Sequence, residues 1–440
     1  MTASARTVAI VGAGPAGAYA VQHLLAQSNV SVEIDLFDRS LTPWGLVRYG
    51  VAADHPQKKL IADRAFEPLL YDPRVRFFGG VDIGDGLPLA AVTEAYDAVI
   101  VATGAEGDNK LGIPGEDMAG SWTSREFVHW CNGDPRHVHH GFDLSTRRAV
   151  IIGNGNVALD IARLLLRPIA ELRATDMADH ALAALEKSRV DEIFIAARRG
   201  PAEVAFNAPE LEELGELPDV DISIAPHTGL VDDTLARPDL PWSTRRKLTH
   251  LLSLASRSGG SRRINFLFGA TPLRFEGDEA VKRIVFASTA APGGAYQLDC
   301  NLVFCATGFR GEPRSGLPHD ANAGVVLTDN GRVAGMANVY ATGWARRGCR
   351  GVIGTNRKCA KTVVDMVLAD IAERPADAGC IDRRRALLAR LGSDRTTIGK
   401  DGWRTIDRAE RLRGRAVGRP RVKFTCENTL LRVAQGGDQR

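Results

Sequence analysis

The stretch Thr7-Val-Ala-Ile-Val-Gly-Ala-Gly-Pro-Ala-Gly17 decides the fold of this 440-residue chain. Its apolar start predicts a buried strand, its glycines a tight turn, and residues 18–27 a helix. In a dinucleotide-binding turn the first glycine makes the bend, the second lets a pyrophosphate approach, and the third lets the helix meet the strand. The next predicted strand, Val32 to Phe37, ends in an acid that can bond a ribose hydroxyl. A first dinucleotide site is therefore predicted at Gly12, Ala13, Gly14, Pro15, Ala16, Gly17 and Asp38.

The same pattern returns in the middle of the chain. A strand is predicted at Arg148 to Ile152, and a glycine turn with alanine in third place, Gly153 to Ala158, follows it. The second strand of this unit, Glu192 to Ala197, ends in two arginines instead of an acid. Two guanidinium groups match a ribose 2′-phosphate in charge and geometry, whereas an acid would repel it. The second site is therefore predicted to bind NADP through Gly153, Asn154, Gly155, Asn156, Val157, Arg198 and Arg199.

Strands and helices alternate along the sequence, which predicts parallel sheets covered by helices. Each unit closes a strand with Ala-Thr-Gly, at 102–104 and at 306–308, so the two units should end alike. The fold class we expect is α/β with two Rossmann-like dinucleotide-binding domains, the second inserted into the first. The boundaries we expect are 1–108 with 323–440 for the first domain and 109–322 for the inserted one.

Composition and charge exclude several classes of protein. The chain is 44% hydrophobic and 25% charged, as soluble globular proteins are, and a net charge of +3 does not suggest nucleic acid binding. No apolar run has the roughly 18 residues of a membrane helix. The seven cysteines form no Cys-x-x-Cys pair, which argues against a dithiol centre, a zinc ribbon or an iron–sulfur cluster. We expect a cytoplasmic monomer without a metal site.

Two different dinucleotides in one chain indicate redox chemistry. A nicotinamide gives up two electrons as hydride, and a flavin can accept them at N5 and release them singly. The first site, with an acid for a plain ribose, suits FAD, and the second suits NADPH. The residues therefore predict an FAD-dependent NADPH oxidoreductase and leave its electron acceptor open.

Longer stretches carry a resemblance to a known family. They are Pro43-Trp-Gly-Leu-Val-Arg-Tyr-Gly-Val-Ala-Ala-Asp-His-Pro56, Gly153 to Asp160, Thr342 to Gly348 with Gly351 to Asn356, and Gly418 to Phe424. With them the chain resembles the adrenodoxin reductase family of NADPH:ferredoxin reductases over nearly its whole length. The resemblance implies the inserted-domain fold, a tightly held non-covalent FAD, and delivery of single electrons to a ferredoxin-type iron–sulfur protein.

The resemblance also assigns residues. His55 matches the family's active-site histidine, Glu213 should pair with it, and Glu210 should meet the nicotinamide amide. Gly351 should face both cofactors. The FAD residues implied in addition to the first turn are Gly45, Leu46, Trp344, Gly351, Val352, Ile353 and Thr355. The chain departs from the usual residues at Asn109, Cys349, Arg350 and Cys359, where we expect it to differ from its relatives.

A basic helix is predicted to begin at an N-cap Ser243. Its apolar face should hold Leu248, Leu251, Leu252 and Ala255, and its basic residues should point elsewhere. In the family this helix docks an acidic ferredoxin, which implies a partner surface at Arg245, Arg246 and Lys247. An ordinary solvated helix face is the alternative.

Rival functions stay open to different degrees. A disulfide reductase of similar architecture needs a cysteine pair, and none has the spacing. A flavin monooxygenase, another flavin reductase acting on a small molecule, and a redox-sensing module that holds both cofactors without turnover are compatible with the glycine turns.

Overall fold

The fold is described from a computed structural model. It covers residues 5–27, 30–225, 228–288, 294–375, 377 and 379–437. The strands in chain order are β1 Arg6–Val11, β2 Val32–Asp38, β3 Val75–Gly79, β4 Ala98–Val101, β5 Gly107–Asp108, β6 Ser121–Thr123, β7 Arg148–Ile152, β8 Glu192–Ala197, β9 Val220–Ala225, β10 Arg262–Phe268, β11 Ala270–Glu276, β12 Arg283–Ser288, β13 Ala295–Asp299, β14 Leu302–Cys305, β15 Phe309–Arg310, β16 His319–Asp320, β17 Val325–Val326, β18 Thr328–Asp329, β19 Arg332–Val333, β20 Val339–Ala341 and β21 Ile398–Gly399.

Helices connect and cover these strands. The α-helices are α1 Pro15–Leu25, α2 Leu46–Tyr49, α3 Pro56–Ile61, α4 Leu89–Ala95, α5 Ser124–Cys131, α6 Asn156–Leu166, α7 Ile169–Leu172, α8 Asp179–Leu185, α9 Ala208–Gly215, α10 Gly229–Leu235, α11 Trp242–Ala255, α12 Trp344–Arg347, α13 Thr355–Glu373, α14 Cys380–Ser393, α15 Lys400–Ala416 and α16 Glu427–Ala434. A π-helical turn, Ala62–Phe66, and two 3-10 turns, Glu67–Tyr71 and Pro201–Glu203, complete the set.

The first sheet has the order β18-β19-β20-β4-β1-β2-β3-β21. Strand β1 lies between β2 and β4 and is parallel to both, and helices packed on each side of the sheet bury both of its faces. Alternate residues of a strand point to opposite faces. Accordingly Val8 and Ile10 pack in the core beneath α1 and α13, and Ala9 and Val11 pack in the core beneath α4 and α14.

The second sheet has the order β6-β14-β7-β8-β10-β9, and its strand pairs are parallel. Helices α6, α9 and α11 cover one face with a core of aliphatic and aromatic side chains. An antiparallel sheet, β11-β12-β13, covers the other face, where Phe275, Ile284 and Phe286 pack against Val150 and Ile152. The carboxyl ends of β7 and β8 therefore meet at one edge, where parallel sheets place their ligands.

The chain leaves the first sheet and returns to it through adjacent linkers. Strands β5 and β15 pair antiparallel, and the Asn109 N–H donates to Gly308 O at 3.0 Å. The first sheet contains strands before β5 and after β17, whereas the second contains only strands between them. The predicted fold class, with one Rossmann-like domain inserted into the other, is confirmed. The domain boundaries at 108 and 322 stay a prediction.

Two short segments show how local residues set a turn and a helix end. Asn330 and Gly331, both with positive φ, make the hairpin turn between β18 and β19. The prediction that Ser243 caps the basic helix is wrong, because α11 begins at Trp242 with Pro241 as its N-cap. The N-cap therefore lies two residues earlier than predicted, at a proline whose fixed φ and extended ψ suit the residue before a helix.

Candidate active site

The first glycine of each turn is required by a close backbone contact. Gly12 has φ +110°, and a Cβ there would lie 2.5 Å from Ala102 O. Gly153 has φ +119°, and a Cβ there would lie 2.3 Å from Ala306 O. Each alanine opens one of the two Ala-Thr-Gly segments. The repeated Ala-Thr-Gly is therefore the backbone on which each glycine turn is packed.

The second glycine of each turn faces open space instead. A Cβ at Gly14 or Gly155 would have no described atom within 4 Å. These residues are the N-caps of α1 and α6, and neither helix receives a side-chain cap. The first N–H groups of both helices are thus available to an anion, which the positive end of the helix dipole favours.

Asp38 lies at the end of β2, as the sequence predicts, but its carboxylate already has two backbone partners. The N–H groups of Ala13 and Ser40 each donate to it at 2.8 Å. Burial raises the pKa of Asp38, and these two hydrogen bonds oppose the rise. Asp38 therefore holds the shape of the glycine turn, and a contact with ribose stays a prediction.

The segment from 43 to 56 closes over the first turn. The N–H of Trp44 donates to Ala13 O at 2.9 Å. Gly45 has φ +45°, and a Cβ there would lie 3.3 Å from Gly14 Cα. The indole Nε1 of Trp44 is buried without a hydrogen-bond partner in the described chain. A ligand at the first turn would thus meet this segment directly.

A cleft of about 930 Å³ joins the two domains. The second glycine turn and the ends of β8 and β14 line one side of it, and Trp344, Cys349, Gly351 and Val352 of the first domain line the other. Trp344, Gly351 and Val352, which the resemblance assigns to FAD, thus share one space with the second glycine turn, whereas the first glycine turn does not line this cleft. Arg198 and Arg199 are exposed at its rim, and no carboxylate of the described residues pairs with either.

The returning loop that borders this cleft is held by its own contacts. The Nε1 of Trp344 donates to Arg350 O at 3.2 Å, and the Trp344 ring stacks on Phe309 with 6.2 Å between centroids. Gly351 has φ +81°, and a Cβ there would lie 2.6 Å from Thr355 Oγ1. Val352 is nevertheless 61% exposed. An apolar residue in this position offers a surface to a flat ligand.

His55 and Glu213 meet at the domain interface. His55 Nε2 lies 2.5 Å from Glu213 Oε2, and His55 Nδ1 lies 4.0 Å from Asp160 Oδ1. His55 precedes α3 in the first domain, whereas Glu213 is on α9 and Asp160 on α6 of the inserted domain. The imidazole is buried. His55 and Glu213, which the resemblance pairs, are thus in contact although they are 158 positions apart in the sequence.

Arg163, whose side chain is fully buried, contacts Glu213 of this pair. It bonds Asp54 at 2.5 Å and Asp160 at 2.6 Å, and its third nitrogen lies 3.2 Å from Glu213 Oε2. Burial acts to raise the pKa of Asp54, but the Arg163 guanidinium outweighs it and the pKa is lowered. Burial raises the pKa of Asp160. The sequence reasoning missed this network, although Asp160 and Arg163 have the i, i+3 spacing of a helical ion pair.

Glu210 lies one turn before Glu213 on α9. Lys58 approaches one of its oxygens at 3.4 Å, and the other, Oε2, is buried without a hydrogen-bond partner in the described chain. A buried acceptor without a donor is costly unless a ligand satisfies it. The site therefore fits a ligand that carries an N–H donor.

The sulfur of Cys359 accepts hydrogen bonds from the start of the returning loop. Its sulfur accepts from Thr342 Oγ1 at 3.5 Å and from the Gly343 N–H at 3.4 Å. Burial acts to raise the pKa of the thiol, but these bonds and the charges of Arg346 and Arg347 outweigh it, so the pKa is lowered. Cys359 thus ties α13 to the start of the returning loop.

Some of the basic side chains at the start of α11 are already bonded within the protein. The guanidinium of Arg245 bonds Leu235 O at 2.5 Å and Arg237 O at 2.8 Å, which anchors the start of α11. Arg246 is exposed and lies 3.4 Å from Glu212. Trp242, which the sequence reasoning did not count, is 73% exposed beside them.

Two uncapped helix N-termini, the joint cleft and the interdomain histidine–glutamate pair define a two-dinucleotide oxidoreductase. Residues 6–199 match the family model described as pyridine nucleotide-disulphide oxidoreductase. The chain is 39% identical to NADPH-ferredoxin reductase FprA of Mycobacterium leprae over 98% of both chains. It is 35% identical to the mitochondrial NADPH:adrenodoxin oxidoreductase of Salvelinus fontinalis, covering 98% of this chain and 92% of that one.

A solved structure gives the same result. Mycobacterium tuberculosis FprA in complex with NADPH superimposes with a TM-score of 0.92 at 38% identity, covering 98% of this chain and all of that one. The chain belongs to the adrenodoxin reductase family, which includes the NADPH-ferredoxin reductases. The family's cofactors are FAD and NADP(H). Among the described residues, no helix is both long and apolar enough to span a membrane.

Proposed function

We propose that the protein is a flavoprotein NADPH:ferredoxin oxidoreductase. The observation that carries the proposal is the single cleft in which the NADP-type turn of the inserted domain faces Trp344 and Gly351 of the first domain. The relatives named as ferredoxin and adrenodoxin reductases support it. When bound, FAD accepts hydride from NADPH at N5 and releases its electrons singly, which suits a one-electron acceptor.

The first domain fits FAD. Open space at Gly14, the uncapped start of α1 and the unpartnered Trp44 indole each offer a donor or a close backbone approach to a pyrophosphate. The start of α13, also without a side-chain cap, would stabilise negative charge. The residues we assign to FAD are Gly12, Ala13, Gly14, Pro15, Ala16, Gly17, Asp38, Gly45, Leu46, Trp344, Gly351, Val352, Ile353 and Thr355.

The inserted domain fits NADP(H). Gly155 leaves room for a pyrophosphate, and the unpaired guanidinium groups of Arg198 and Arg199 suit a 2′-phosphate. The unpartnered Oε2 of Glu210 suits the carboxamide N–H of a nicotinamide. We therefore assign Gly153, Asn154, Gly155, Asn156, Val157, Arg198, Arg199, Glu210 and Gly351 to NADP(H).

His55 and Glu213 hold the two domains in register at the point where the cofactors meet. Glu213 accepts from His55 Nε2, and Arg163 fixes Glu213 in turn. The imidazole is therefore held in one orientation at the domain interface. Its task in this proposal is to orient the nicotinamide for hydride approach, since well-aligned reactants need no further ordering.

The test replaces His55 with Gln and measures single-turnover flavin reduction by NADPH without oxygen. The rate should fall about ten- to hundredfold, the range expected when reacting groups are misplaced. His180→Gln is the matched control, since His180 bonds Trp130 O away from the cleft. An unchanged rate for His55→Gln would remove the assigned role. A wild-type protein whose flavin does not bleach with NADPH would remove the whole proposal.

The acceptor we propose is an acidic ferredoxin that docks at the start of α11. Arg246 and Lys247 supply positive charge, and the exposed Trp242 supplies an aromatic surface of the kind that anchors interfaces. Arg245 contributes less directly, because its guanidinium is already bonded to two backbone carbonyls.

A charge reversal tests this surface. Arg246→Glu with Lys247→Glu should lower ferredoxin-dependent cytochrome c reduction several-fold and weaken its sensitivity to salt, because oppositely charged surfaces steer association. Reduction of a small dye by NADPH should not change. Lys282→Glu, which alters an exposed lysine in the connection between β11 and β12, is the control. If dye reduction falls equally, the helix is not the docking surface.

A monooxygenase, the main rival function, would give a different result in the NADPH oxidation assay. NADPH oxidation that a small organic substrate stimulates, with a hydroxylated product, would identify a monooxygenase. The cytoplasmic location and the monomeric state remain predictions.

A further inference from the structure

Three histidines and an aspartate gather beside α5, away from the cleft. His129 is on the last turn of α5, and Asp134, His137 and His140 are on the segment that follows. One ligand atom each of His129, Asp134 and His137 lies within 4.8 Å of the others. The rings of His129, His137 and His140 stand in a row, with centroids 5.0 and 5.3 Å apart.

His129 and His137 each have one ring nitrogen near a polar partner and a second ring nitrogen without one in the described chain. His129 Nδ1 lies 2.8 Å from Asp134 Oδ2, which orients the ring, and His129 Nε2 is buried without a partner in the described chain. His137 Nδ1 lies 3.1 Å from His140 Nε2. Histidines that bind metals characteristically donate their second nitrogen to a carboxylate or another polar group.

The surroundings indicate which ion fits. Asp134 also receives three hydrogen bonds from Arg136, two from the guanidinium at 2.8 and 3.1 Å and one from the backbone N–H at 3.1 Å, so its charge is already shared. Magnesium and calcium require several oxygen ligands, whereas zinc and its neighbours in the first transition series accept imidazoles. The cluster therefore favours a zinc-type ion over a hard cation.

We propose that His129 and His137 bind a divalent ion of the zinc class, with Asp134 orienting His129 and His140 orienting His137. The cluster contacts the segment 43–56, which closes over the first glycine turn. His129 stacks on Tyr49, with 6.5 Å between ring centroids, and Asn132 donates to the carbonyls of Tyr49 and Val51 at 3.0 and 2.9 Å. A bound ion would thus tie residues 129–140 to the segment that closes over the first glycine turn.

The experiment measures zinc bound by the flavin-loaded, tag-free protein in equilibrium dialysis. A Cys426→Ser background removes the exposed thiol as a competing ligand. About one equivalent should bind, and X-ray absorption should report nitrogen at about 2.0–2.1 Å from zinc. His137→Gln should weaken binding at least about tenfold, and Asp134→Asn about ten- to hundredfold.

His139→Gln is the matched control, because His139 is exposed on the same segment and is not a proposed ligand. It should bind zinc as the parent does. The proposal is overturned if the parent binds no zinc at micromolar concentration, if His137→Gln binds as tightly as the parent, or if His139→Gln weakens binding equally. His129→Gln is a second ligand variant, and His137→Gln decides the matter should that buried change prevent folding.

Discussion

Replacing Arg163 with Met tests whether the buried ion network holds the interface at His55. Methionine keeps the apolar stem and removes the guanidinium, which bonds Asp54 and Asp160 and contacts Glu213. The side chains of Arg163 and Asp54 are 0% and 1% exposed, so Asp54 would lose its main partner without gaining water.

The structure sets the magnitude. Removing one partner of a buried ion pair costs about 3–5 kcal/mol. Arg167 remains 3.1 Å from Asp54, so we expect the lower end, about 3 kcal/mol, or roughly a hundredfold change in the folding equilibrium. With a slope of about 3 kcal/mol per molar urea, the unfolding midpoint should fall by about 1 M.

Urea unfolding followed by circular dichroism measures this shift, and single-turnover flavin reduction should slow because Glu213 loses its restraint. Arg167→Met is the matched control. Its side chain is 22% exposed and its second partner, Glu171, is on the surface, so it should cost less than about 1 kcal/mol. Equal midpoints for the two variants would refute the reasoning that Arg163 is the central cation.

Two further predictions concern the glycine turns and pH. Gly155→Ala should weaken NADP binding and leave the urea midpoint of unfolding unchanged. Gly153→Ala should lower that midpoint, because a Cβ at Gly153, unlike one at Gly155, meets Ala306 O. Equal midpoints for the two variants would contradict this. Burial holds the pKa of Lys423 well below its usual value, despite the nearby Asp176. Below about pH 10.4, the ordinary pKa of lysine, Lys423 therefore binds more protons in the unfolded chain than in the folded one. The free energy of unfolding should accordingly rise as the pH is raised toward about 10.4. Lys423→Gln should flatten the rise in unfolding temperature between pH 7 and 10. The control Lys361→Gln, at an exposed lysine, should leave that rise unchanged. Parallel pH profiles for the wild type and Lys423→Gln would contradict the role given to Lys423.

The glycine turns were predictable because their reasons are local. A strand, a glycine that must bend and a helix that needs a close approach all lie within a dozen residues, and the chain repeats the device at Gly153. The cap predicted at Ser243 was wrong although its cause is also local, since Pro241 takes the N-cap position and α11 begins at Trp242.

The resemblance to a family supplied the pairing of His55 with Glu213, which no local pattern contains. Composition and spacing alone do not connect residues that are 158 positions apart. The assignments of individual residues to FAD, NADP and ferredoxin remain predictions that the experiments above test.

The sequence by itself determined the alternation of strands and helices, the two dinucleotide turns and the charge that distinguishes the second from the first. Only the tertiary structure decided that Arg163 is buried among three carboxylates, that Asp38 is engaged by its own turn, and that His129 and His137 share one cluster. The physical reason is that periodicity and turn chemistry act over a few residues, whereas burial and charge pairing depend on which distant segments the sheets bring together.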